Sequence, residues 1–250
     1  MIIKKSAEEI ERMHTAGRVV AKVFDDVRDK LRPGTKTKEI DTLVEKIIRS
    51  EGCVPSFKGY RGFPGSACIS LNEEIVHGIP GRRKLREGDL VKLDVGAIYE
   101  GYHADSAWTF YVGDEVPPEI EKLMRTTEDS LWAGISAARA GNRVGDIGHA
   151  VQVVAEGAGF SVVREYVGHA VGRELHEDLQ IPNYGPAGRG PILEEGMTLA
   201  LEPMVNVGDW RTEVLDDDWT VVTADGELSA HYEHTIAVRD GEALVLTGRD

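Results

Sequence analysis

Apolar residues recur at helical spacing from the start of the chain. Ile10, Met13, Val20, Phe24, Val27 and Leu31 share one face, as a 3.6-residue period requires. Ahead of them Ser6-Ala7-Glu8-Glu9 forms a capping box, in which the serine and the second glutamate each accept the other's backbone N–H. Pro33-Gly34 stops this helix. A second is predicted from about Thr37, with Ile40, Val44, Ile47 and Ile48 on one face, ending near Glu51-Gly52. The pattern then returns: a helix from about Pro118 to Ala140, a break at Gly141-Asn142, and a helix from about Val144 to Glu156. Apolar runs predict strands at about 66–71, 90–98 and 105–112, then at 162–166, 197–205, 219–223 and 230–238. Two helices followed by strands, twice over, predict an α+β fold with antiparallel sheets and helices on one side.

The repetition reaches individual residues. Gly34, Ile40, Val44 and Gly52 are followed 107 positions later by Gly141, Ile147, Val151 and Gly159, while Glu39 becomes Asp146 and Ile47 becomes Val154. EGDLVKLD at 87–94 is echoed by EGMTLALE at 195–202. That period is too long for a solenoid, whose units run roughly 20–50 residues. It describes two similar halves, about 1–115 and 116–250. No Pro/Gly/Ser linker divides them, so a single domain over 1–250 with internal pseudo-symmetry is expected.

Both echoed phrases end in a carboxylate, Asp94 and Glu202, where an apolar strand residue belongs. An unpartnered buried carboxylate is costly, so two of them point to a cation between the halves. Asp94 and Asp105 flank Tyr99-Glu100-Gly101-Tyr102, and in a tight hairpin they are expected to face each other. His231-Tyr232-Glu233 resembles His103-Ala104-Asp105, so Glu202 and Glu233 mirror the first pair, with an insert at about 206–218. Four carboxylates converging is too much charge without roughly two divalent ions. Among the eight histidines, His14 and His149 fall on helix patterns as surface or packing residues. His169 and His176 lie seven apart in a Gly-flanked segment read as a loop, and His77 ends a strand before a Gly/Pro turn. These three are the candidates for chemistry.

Composition narrows the partners. A net charge of −14 argues against a nucleic-acid backbone as main partner. Two cysteines, Cys53 and Cys68, supply no disulfide framework and fit a reducing compartment. The first residues lack the apolar core of a signal peptide, and no window approaches the roughly 18 apolar residues of a membrane span. A soluble, cytoplasmic protein is expected.

The blocks NEEIVHGIP, KLDVGAIYEGYHADSAWTF, GHAVGRELHE, LEPM and SAHYEHTIAV, in this order, resemble the type I methionine aminopeptidases over essentially the whole chain. The resemblance implies a pita-bread α+β fold of two pseudo-symmetric halves. It also implies five metal ligands, Asp94, Asp105, His169, Glu202 and Glu233, holding two divalent ions (Mn, Fe, Co or Zn). Asp105 and Glu233 would bridge the ions and a bridging hydroxide would attack the peptide. Glu202 would shuttle the proton, and His77 and His176 would contact substrate and stabilise the tetrahedral intermediate. Tyr60, Phe63, Cys68 and Trp219 fall at pocket-lining positions. Phe57, Leu175 and Arg61 depart from the commonest residues of the family there: a small residue, an aromatic and a histidine respectively. The implied substrate is the N-terminus of a nascent polypeptide with methionine before a small residue, including chains still on the ribosome. The implied enzyme is a monomer. Prolidases and other aminopeptidases of this fold usually carry a further N-terminal domain, whereas here the pattern starts near Met1. Relatives that bind without catalysis, or act without metal, have no need of all five ligands.

Overall fold

The computed structural model describes residues 2–248. Its helices are α1 (Ala7–Arg28), α2 (Thr37–Ser50), α3 (Pro118–Ala137) and α4 (Val144–Gly157). The first run of strands is β1 (Val54–Pro55), β2 (Ala67–Leu71), β3 (Glu74–Val76), β4 (Leu90–Tyr99) and β5 (Tyr102–Tyr111). The second is β6 (Ser161–Val162), β7 (Gly168–Ala170), β8 (Glu177–Ile181), β9 (Thr198–Leu201), β10 (Met204–Asn206), β11 (Thr212–Val214), β12 (Val221–Thr223), β13 (Ser229–His231), β14 (His234–Ala237) and β15 (Leu244–Val245).

The first helix begins at the capping box: Glu9 N–H donates to Ser6 Oγ at 3.3 Å and Ser6 N–H to Glu9 Oε2 at 2.8 Å. Its buried face, with Val20, Val23, Phe24 and Val27, packs with α2 on the first sheet. Each such side chain contributes roughly 1.5–3 kcal/mol by leaving water. In that sheet β4 is central, with β5 on one edge and β1 and β2 on the other. The second sheet runs β15-β14-β9-β7-β8 and carries its own core with α3 and α4. Every pairing is antiparallel. Gly134 lets α3 sit close on α4, since a Cβ there would lie 2.9 Å from Val151.

A seam of short side chains joins the halves. Thr109 Oγ1 donates to the His231 carbonyl at 2.7 Å, and Glu233 N–H donates to the Ala107 carbonyl at 2.9 Å. Asp105 N–H donates to Thr235 Oγ1 at 3.0 Å, and the Ser106 hydroxyl donates to the Glu233 carbonyl. The C-terminal segment locks this seam: Thr235 N–H donates to Thr247 Oγ1 at 3.1 Å, and the Leu246 carbonyl fills space that a Cβ on Gly17 would occupy. The N-terminal segment is fastened by Lys5, whose ammonium pairs with Glu177 in near-complete burial.

Several expectations are corrected. Glu100 and Gly101 both take left-handed φ values, 47° and 82°, so the turn has two residues and Tyr99 pairs with Tyr102. That register places Asp94 opposite Ala107 and Asp105 opposite Gly96. The two carboxylates therefore share a face but sit diagonally rather than face to face. The strands expected at 197–205 and 230–238 are each broken, at Glu202-Pro203 and at Tyr232-Glu233. Proline has no N–H to give a ladder. The pairs Leu201–His234 and Met204–His231 keep one register across the break, which sets Glu202 level with Glu233. The expected loop around His169 holds strand β7. The insert at 206–218 contains strand β11.

Candidate metal centre

Five side chains converge where the two sheets meet. Asp94 projects from the middle of β4 and Asp105 from β5. His169 lies on β7, Glu202 follows β9, and Glu233 precedes β14. Asp105, His169 and Glu233 are buried, with one ligand atom from each within 4.8 Å of the others. His169 Nε2 stands 3.7 Å from Asp105 Oδ2 and 3.6 Å from Glu202 Oε1. Asp94 Oδ1 is buried without a hydrogen-bond partner.

The charge state follows from this crowding. Burial, and then the neighbouring carboxylates, push Asp94, Glu202 and Glu233 well above the ordinary range. Burial brings Asp105 to about 6, opposed by His176 and the Thr235 hydroxyl. Burial lowers His169 to about 4, so its imidazole is neutral at pH 7. Its Nδ1 lies 3.0 Å from the Ala170 carbonyl. A carbonyl only accepts, so the ring proton is on Nδ1 and the Nε2 lone pair faces Asp105 and Glu202. Neither oxygen lies within hydrogen-bond distance of that lone pair, so all three atoms are available to a cation. Carboxylate oxygens with one imidazole suit hard or borderline divalent metals. The residues present fit such an ion.

An apolar wall adjoins the cluster. Phe57, Phe63, Cys68 and Leu175 pack together, with Tyr60, Ile79 and Trp219 against them. The ring of Phe63 meets Trp219 edge-on at 5.1 Å. Phe57 is seated by Gly96, where a Cβ would come within 2.9 Å of its ring. The wall and all five converging side chains line one cavity. Burial holds the Cys68 thiol protonated.

Two further histidines border the cavity. His77, at φ 61° directly after β3, meets Tyr166 at 5.8 Å and Trp219 at 6.4 Å, both edge-on. Burial lowers it to about 4. His176 opens to the cavity and to solvent, with its ring 4.1 Å from that of His169. Its Nδ1 shares a hydrogen bond of 2.9 Å with the Tyr60 hydroxyl, and the packed protein behind it and His169 push it below its usual value. His14 and His149 lie on α1 and α4, away from these groups.

Some residues around the cluster escaped the sequence reading. Thr235 Oγ1 donates within hydrogen-bond reach of both the carbonyl and Oδ1 of Asp105, at 2.8 and 3.0 Å. His231, taken only as an echo of His103, is buried with both ring nitrogens lacking hydrogen bonds, and its Nε2 lies 3.8 Å from Glu202 Oε2. Lys92 is also fully buried and donates to the Asn72 carbonyl at 2.7 Å. A buried ammonium two positions from Asp94 breaks the apolar pattern and was the one available signal.

A carboxylate-rich centre beside an apolar wall, on paired antiparallel sheets, has counterparts among known enzymes. Residues 11–240 match the model of Metallopeptidase family M24. The chain belongs to that metallopeptidase family, and membership implies a divalent metal cofactor. Over 247 residues, 99% of each chain, it is 51% identical to methionine aminopeptidase 1 of Bacillus subtilis. It superposes on the crystal structure of methionine aminopeptidase from Thermotoga maritima with a TM-score of 0.97 and 47% identity, each chain covered in full. Within the family its place is therefore among the methionine aminopeptidases. A prolidase from Pyrococcus furiosus, at TM-score 0.80 and 22% identity over 99% of this chain and 66% of that one, shares the pita-bread fold. Among the described residues no helix is long and apolar enough to cross a membrane.

Proposed function

We propose that the chain removes the N-terminal methionine from nascent polypeptides whose second residue is small. The observation that carries this reading is the His169 lone pair turned toward Asp105 and Glu202 at the end of an apolar wall. Asp94, Asp105, His169, Glu202 and Glu233 would hold two divalent ions, the number being argued from four crowded carboxylates. Bound there, such ions supply Lewis-acid polarisation of the scissile carbonyl and acidify water.

The chain's own residues supply the rest. Phe57, Phe63, Cys68, Leu175 and Trp219 receive the methionine side chain and exclude water from it. His77 and His176 stand beside the cavity as neutral imidazoles. A Tyr60 hydroxyl donated to Nδ1 leaves His176 with its proton on Nε2, available to a carbonyl oxygen gaining negative charge. Glu202, raised above the ordinary carboxylate range by burial and then by Asp94 and Asp105, accepts a proton at a carboxylate oxygen and passes it to the departing amine. Nothing in the fold calls for a second copy of the chain, and we read the enzyme as a cytoplasmic monomer.

The test is methionine release from a Met-Gly and a Met-Lys peptide, first with metal stripped and then with Mn or Co restored. Metal-dependent release from Met-Gly, with Met-Lys refused, is expected. No release under any metal from folded protein would overturn the reading.

A further inference from the structure

The cavity that holds the carboxylates has a single permanent cation among its lining residues. Arg61 lines the same wall as Asp94, Asp105, Glu202 and Glu233. It is exposed, and among the described residues it makes no hydrogen bond and no ion pair. Some surface cations of this chain find a carboxylate, among them Arg49, Arg83 and Arg211. The neighbouring Lys58, for example, is bonded to Glu45 at 2.6 Å.

Arg61 is also held in place. It occupies a left-handed turn, φ 49°, between Gly59 at 85° and Gly62 at 91°. Its Cζ lies 5.3 Å from the centre of the Tyr60 ring. Stacking on an aromatic face uses the flat side of a guanidinium and leaves its N–H edges free. The same Tyr60 bonds His176. The guanidinium therefore sits on the order of 10 Å from that imidazole, or roughly two to three residues of extended chain. Methionine occupies the apolar wall, and the scissile bond lies beside His176 and the carboxylates. The residues after that bond leave through the open side, where Arg61 stands.

We propose that Arg61 is a specificity-determining residue, which favours substrates carrying a carboxylate shortly after the scissile bond. This rests on the aminopeptidase reading above. The carboxylate can belong to an acidic side chain or to the end of a short peptide. Both accept from a guanidinium in the same two-pronged way.

The experiment uses the metal-loaded enzyme and amidated peptides Met-Gly-Glu, Met-Gly-Gln and Met-Gly-Lys, which remove the terminal carboxylate as a variable. Met-Gly-Gln with a free C-terminus measures that source separately. The ratio of kcat/KM for the Glu peptide to that for the Lys peptide is compared between wild type and R61Q. The long-range pull of the net charge acts on both proteins and nearly cancels. An exposed pair changes binding about threefold to fivefold per charge, so wild type should exceed R61Q by about tenfold in this ratio. The effect should reside in KM, shrink in high salt, and reverse in R61E. Equal ratios in wild type and R61Q, or a wild-type ranking insensitive to salt, would overturn the proposal alone. Absence of release from every peptide by wild type would overturn the aminopeptidase reading, and this one with it.

Discussion

Single side chains decide the chemistry of the centre. Metal has to displace protons from carboxylates that burial and their neighbours hold above the ordinary range, Asp105 at about 6 among them. Acid keeps those protons on and weakens binding. Affinity should therefore rise with pH up to about 6, where Asp105 gives up its proton, by roughly tenfold per unit for each proton displaced. Calorimetry in two buffers of different ionisation enthalpy would count the protons released. His169, neutral above about 4, contributes none of them. His176→Ala should lower kcat about 10²- to 10³-fold, as loss of one donor to a developing oxyanion does, while metal content by elemental analysis stays that of wild type. Asp94 and Glu202 were legible in the sequence because each interrupts an apolar strand. Thr235 was not, since its partner Asp105 is 130 positions away and a lone threonine carries no mark of what faces it.

At the scale of elements, a few tight contacts aim these side chains. Gly168 precedes His169, and a Cβ there would fall 2.4 Å from the Ala200 carbonyl. Gly168→Ala must push β7 off β9. A loss of about 1–3 kcal/mol is expected from such overpacking, seen in urea unfolding, along with weakened metal binding. Lys5 and Glu177 are a second case, fastening the N-terminal segment beside His176. Lys5→Met strands a buried carboxylate and should cost about 3–5 kcal/mol, read from the same unfolding curves. All four helices were legible from apolar period and punctuation, to within a turn. The hairpin was legible too, but its register was misjudged by two positions. Alternation of side chains cannot tell Asp94 opposite Asp105 from Asp94 opposite Ala107, because both keep the same face; only the left-handed pair Glu100-Gly101 does. Strands of two or three residues, such as β1 and β7, are too short for any period to register.

For the molecule as a whole, the centre belongs to neither half. Asp94 and Asp105 come from the first sheet, His169 from the second, and Glu202 and Glu233 from the breaks that border it. A metal bound there ties both cores to one folding equilibrium. At a thousandfold excess over its Kd it should add about 4 kcal/mol, and Tm should climb about 2–4 °C for each of these in a chain of this size. Thermal scans with chelator and with restored metal measure that difference.

The seam also sets a timetable for synthesis. Asp94 and Asp105 leave the ribosome early, but their partners are still untranslated, and Thr247, which secures Thr235, is nearly the last described residue to appear. At about 5–20 residues per second, the 139 positions from Asp94 to Glu233 occupy on the order of 10 s. Throughout that interval the growing chain exposes acidic strand ends with nothing to neutralise them. A methionine aminopeptidase of this fold thus acquires its own centre only after Glu233, and then Thr247, has been translated.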